Sequence, residues 1–161
     1  MTENETMKKQ PSIPALAARA VRAQMKALGI KGRVRSSGYT GGSIVNVDLM
    51  DIPSPLVKKL EAAVEIYSYD KGSRMDDSRI AEHNDDVPQV SFVSIESRYS
   101  IAVQEAALDK LKADGVVPMD AKRSGLDRYE INGENYDADV IVYCYLKGSI
   151  KGMPDYYSEI N

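Results

Sequence analysis

Between Thr6 and Val47 the chain carries Lys8, Lys9, Arg19, Arg22, Lys26, Lys31, Arg33 and Arg35 and not one Asp or Glu. A one-signed stretch of this kind attracts polyanions, because it sets up a local field even in a chain whose net charge is −3. Arg19, Arg22 and Lys26 follow one another at spacings of three and four, which puts them on one face of a helix. Arg33 and Arg35 share a face of a strand, since side chains alternate along it. Just beyond comes Gly38-Tyr39-Thr40-Gly41-Gly42. There Tyr39 is available to stack on a base, and Gly41 and Gly42 let the backbone approach a phosphate. The candidate nucleic-acid-binding residues are therefore Arg19, Arg22, Lys26, Lys31, Arg33, Arg35, Tyr39, Gly41 and Gly42.

Other chemistries have fewer residues to draw on. Asp76, Asp77, Glu82, His83, Asp85 and Asp86 form an acidic segment with oxygen donors for a hard divalent cation, but at a spacing that matches no known cation loop. His83 is the only histidine and Cys144 the only cysteine. Counting alone excludes a zinc finger, a multi-histidine metallohydrolase and a two-histidine mechanism. A Cys–His pair is formally open, yet Cys144 sits in an apolar run where a buried, inert thiol is the common case. There is no phosphate-loop motif and no dinucleotide fingerprint, and the glycines near Tyr39 precede a strand rather than a helix. The expectation is a non-enzymatic protein without a cofactor and without an assigned metal site. Tyr143, Tyr145, Tyr156 and Tyr157 offer a protein-binding patch, the pair in the tail being the more exposed one.

These residues need elements to hold them. Ser12, Pro14 and a stripe of Leu16, Ala20, Val21 and Leu28 predict a helix over 13–28, ended by Gly29. Alternating segments at 31–37 and 43–49 flank the glycine-rich stretch as a hairpin. Ser54-Pro55 starts a second helix that runs to about residue 66. A long polar loop over 69–86 precedes a strand over 90–96 and a third helix over 101–113. A second hairpin follows, with residues 129–131 as one strand, Asn132-Gly133 as the turn and the apolar run 140–146 as a well-packed partner strand. The fold expected is α+β, an antiparallel sheet of about five strands with three helices packed on one face.

At 161 residues the length suits one domain, read here as residues 13–146 between a disordered start (1–12) and an irregular tail (147–161). A lone cysteine precludes a disulfide framework and suits a reducing compartment, and no apolar run approaches membrane-spanning length. With no signal-peptide pattern at the start, the reading is a cytoplasmic protein without membrane contact. Charge is divided unevenly: residues 1–60 hold ten Lys and Arg against four acids, and the remainder eleven against twenty.

The order of helix, Lys31-x-Arg33-x-Arg35-Ser36-Ser37-x-Tyr39-x-Gly41-Gly42-Ser43, alternating strand, helix, Asp-rich loop and a strand ending Ser97-Arg98-Tyr99-Ser100 resembles the large polyvalent protein associated domains. These occur in proteins of phages and conjugative plasmids. The resemblance covers roughly residues 13–113; where members carry a Trp and an Asp-Gly-Pro turn after the second strand, this chain has Leu49-Met50-Asp51-Ile52-Pro53. It implies a mobile-element protein, a setting of DNA transfer and evasion of host defence, and no established reaction. Two functional expectations result. The first is an accessory protein that binds DNA or RNA through the basic helix and hairpin. The alternative is a protein–protein inhibitor of a host defence system, of antirestriction or anti-CRISPR type, whose acidic regions after residue 60 occupy a partner's DNA-binding groove. Oligomeric state has no signature in the sequence.

Overall fold

The computed structural model describes residues 9–70 and 83–160. In chain order the elements are α1 (Ile13–Ala27), β1 (Gly32–Tyr39), β2 (Gly42–Met50), α2 (Ser54–Val64) with a 3-10 turn at Glu65–Tyr67, β3 (Phe92–Arg98), α3 (Ile101–Ala113), β4 (Arg128–Ile131), β5 (Glu134–Asp137), α4 (Ala138–Lys147) and α5 (Tyr156–Glu159). The α+β class holds, but the five-stranded antiparallel sheet with three helices does not. The described residues form a three-stranded sheet of order β1-β2-β3, a separate two-stranded sheet of β4 and β5, and five α-helices. They divide into two units, Met1–Asp48 with Leu60–Glu96, and Leu49–Lys59 with Ser97–Asn161.

In the first unit, α1 begins after Ser12 in extended conformation with Pro14 in its first turn. It buries Ala17, Ala18, Val21 and Met25 on one side. It ends in a Schellman motif: Ile30 N–H donates to Met25 O at 2.8 Å and Gly29 N–H to Lys26 O at 3.1 Å, with Gly29 at φ 69°. Met25 and Ile30, the apolar pair that accompanies this motif, are both buried. The reversal delivers the chain into β1 alongside the helix.

β1 and β2 are joined by Thr40-Gly41 alone, a link only antiparallel neighbours allow. β3 is different. Ser91 N–H donates to Ser43 O beside the start of β2, and Asp51 N–H to Arg98 O beside its end, both at 2.9 Å. β2 and β3 therefore run parallel, with α2 in the crossover such a connection needs. Val34, Val45 and Val47 are buried on one face of this sheet, as are Leu60 and Val64 of α2.

In the second unit, α3 and α4 share a core of Leu108, Leu111, Ile141, Val142, Tyr145 and Leu146, joined by Tyr99 and Tyr157. The predicted turn at Asn132-Gly133 is present, both residues in the left-handed region (φ 53° and 83°), the type I′ geometry that suits a tight hairpin. The strand paired with β4 is β5, however, in the register Tyr129↔Tyr136 and Ile131↔Glu134. The apolar run 140–146 is a helix, α4. The Asp137 carboxylate caps its start by accepting from Val140 N–H at 2.9 Å, and Gly148 in left-handed conformation ends it.

The tail also departs from expectation, because residues 156–159 form α5 and Tyr157 is buried rather than exposed. Asp155 caps α5 by accepting from Ser158 N–H at 2.7 Å. Glu159 accepts a hydrogen bond from the hydroxyl of the fully buried Tyr145 and lies 3.5 Å from Lys110. Burial raises the pKa of the Asp155 carboxyl, but Ser158 and Lys58 outweigh this and hold it below the ordinary value.

Candidate nucleic-acid interface

The cations of α1 lie opposite its buried stripe, so Arg19, Arg22 and Lys26 are all exposed. The Arg22 guanidinium reaches across to β1 and donates to Val34 O at 2.8 Å. That bond fixes a positive charge beside the backbone of β1, which is the edge strand of its sheet. Next to it a groove of about 430 Å³ has Met25, Ile30 and Val34 as its apolar floor and Arg22, Lys26 and Lys31 at its rim. The Schellman turn brings Lys26 and Lys31 to the same groove although one ends a helix and the other precedes a strand.

Arg33 and Arg35 stand on the other face of β1 from the buried Val34, and both are exposed as expected. The single patch foreseen from sequence is therefore two surfaces that meet along β1, one facing the groove and one on the open face of the sheet. Arg35 is not a free charge. Its guanidinium sits 2.7 Å from Asp48 Oδ2, the first carboxylate after the acid-free stretch.

At the other end of β1 the hairpin turns at Gly41, exposed and at φ 90°. Tyr39 is half exposed and lies over Gly42: a Cβ at Gly42 would be 2.7 Å from Tyr39 Oη and 2.3 Å from Ser91 Oγ. Gly42 is thus required by the packing of Tyr39 and Ser91 above it. Gly41 has no atom near the position a Cβ would take, whereas Gly42 does. Ser91 Oγ accepts from Ser43 N–H at 3.1 Å and shares a hydrogen bond with the Tyr69 hydroxyl at 2.8 Å. Tyr69 in turn stacks on His83, with centroids 5.0 Å apart.

Alternation places Ile44, Asn46 and Asp48 of β2 on the same open face as Tyr39, and none of them is buried. Phe92 was not singled out from the sequence. It lines a cleft with Val93, Ile95 and Val64 of α2.

The acidic segment gives less. Asp76, Asp77 and Glu82 lie outside the described residues, while His83, Asp85 and Asp86 are exposed. Among the described residues no three His, Cys, Asp or Glu gather as a metal site. Cys144, expected inside a strand, is half-buried on α4 and lines a cavity of about 290 Å³ with Ile131, Tyr136, Ile141 and Ile150. No described helix is long and apolar enough to cross a membrane. No protein-family model, curated protein or solved structure matches this chain.

Proposed function

We propose that this protein binds nucleic acid along β1, without catalysing a reaction, as a cytoplasmic accessory protein of a phage or plasmid. The observation that carries the reading is the convergence of Arg22, Lys26 and Lys31 on one side of an edge strand and Arg33 and Arg35 on the other, with one carboxylate, Asp48, among them. An eight-residue strand extends about 25 Å at its usual rise, enough to follow several nucleotides of a phosphate backbone. Phosphate contacts from five cations displace condensed counterions, so affinity falls steeply with salt.

Fluorescence anisotropy of labelled DNA and RNA at two salt concentrations tests this. Binding should be salt-sensitive, and Arg33→Ala with Arg35→Ala should weaken it and lower the slope of log affinity against log salt by about one to two units. Absence of binding at low salt would overturn the proposal and turn attention to a host defence protein as partner.

A further inference from the structure

Resting on that reading, we infer that the ligand is single-stranded nucleic acid, its bases laid on the open face of the three-stranded sheet and its phosphates on the cationic edge at β1. Duplex recognition in the major groove calls for a protruding helix or a two-stranded ribbon. Here the cationic helix α1 is tied back to β1 through Arg22, and the surface beside it is a sheet face rather than a projecting element.

The chemistry of that face is graded. Positive charge is concentrated along β1, where Arg33 and Arg35 border the open face and Arg22, Lys26 and Lys31 border the groove. Inward from the edge, flat or apolar surface is offered near the hairpin by Tyr39 and by Ile44 on β2, with the polar Asn46 and Asp48 farther along β2. Phosphates are complementary to the first zone and unstacked bases to the second, and only a single strand presents both at once. A duplex would keep its bases inside and use the edge alone.

Tyr39 is built for this role. Its hydroxyl end rests over Gly42, whose missing side chain leaves room for it, while half of the residue stays open to solvent. Gly42 is held in turn by the Ser43–Ser91 contacts at 2.9 and 3.1 Å. A ring fixed before the ligand arrives loses little conformational freedom on binding.

The test is anisotropy with one labelled oligonucleotide, single-stranded and annealed to its complement, against the wild type, Tyr39→Leu, Tyr39→Phe and Arg33→Ala/Arg35→Ala. The single strand should bind at least tenfold tighter than the duplex. Tyr39→Leu should weaken single-strand binding by about 5- to 100-fold with an unchanged salt slope, and Tyr39→Phe should retain it, because stacking needs the ring and not the hydroxyl. The arginine variant should lower the slope instead. Equal or tighter binding of the duplex, or a Tyr39→Leu variant that binds as the wild type does, overturns the inference and leaves the proposed function standing. If neither form binds, both fall.

Discussion

Asp48 decides how much of the charge on β1 a ligand meets. Its carboxylate is 2.7 Å from the Arg35 guanidinium, and both side chains are partly open to water, so the pair is weak and a phosphate can compete for the arginine. Removing the competitor should help the ligand. Asp48→Asn is expected to raise nucleic-acid affinity about two- to fivefold, the size of an exposed ion pair, with little change in thermal stability. A titration beside the wild type checks it, and unchanged affinity would place Arg35 outside the contact. At this scale the sequence was informative about side-chain type and direction: Arg22, Lys26, Arg33, Arg35 and Tyr39 are where helical spacing and alternation put them, whereas Lys31, of the same parity as Arg33 and Arg35, lines the groove on the other side. The sequence did not show that Asp48 returns to Arg35, because a cross-strand neighbour is set by register. Nor did it show why Gly42 is glycine. That reason lies in Ser91, contributed by a segment 49 positions further along the chain, a contact that no local pattern encodes.

Elements were legible where their ends are marked. α3 occupies the predicted span, with Ser100 accepting from Val103 N–H at its start and Lys110 and Lys112 in its last turn. The misreading of 140–146 has a physical cause. Val, Ile, Tyr and Cys favour strands, and a seven-residue apolar run fits either period. Here helical spacing prevails: Ile141, Val142, Tyr145 and Leu146 fall on one side and are buried, while Val140 and Tyr143 are exposed. The decisive marks stood outside the run, at Asp137 and Gly148. Asp137→Ala should therefore cost about 1 kcal/mol, the usual worth of an N-cap, seen as a lower midpoint in urea. A cost near zero would mean that tertiary packing alone holds α4. The parallel pairing of β3 had a sequence cue as well, since a helix between two strands is the signature of a crossover, and it was outweighed by the strong hairpin signal before it.

Over the whole molecule, charge is uneven along the chain, with ten Lys and Arg against four acids in residues 1–60 and eleven against twenty after them. One carboxylate couples the second unit to acid. Asp155 is held below its ordinary pKa when folded, whereas in the unfolded chain it titrates near about 3.9. The stabilisation it supplies is complete above that unfolded value and is lost as pH falls through the folded one. Asp155→Asn keeps an oxygen to cap α5 and removes the titration. Its melting temperature should fall less than that of the wild type between about pH 5 and pH 2, and parallel curves for the two would exclude the assignment. The division into units is not sequential along the chain, since residues 49–59 belong with 97–161 although 60–96 belong with 1–48. Synthesis at about 5–20 residues per second makes this a matter of timing. The surface proposed to bind nucleic acid has all of its residues once position 96 has left the ribosome, while residues 49–59 wait several seconds more for the segment they pack with. During that interval the proposed surface can already be complete while the second unit still waits for its later residues.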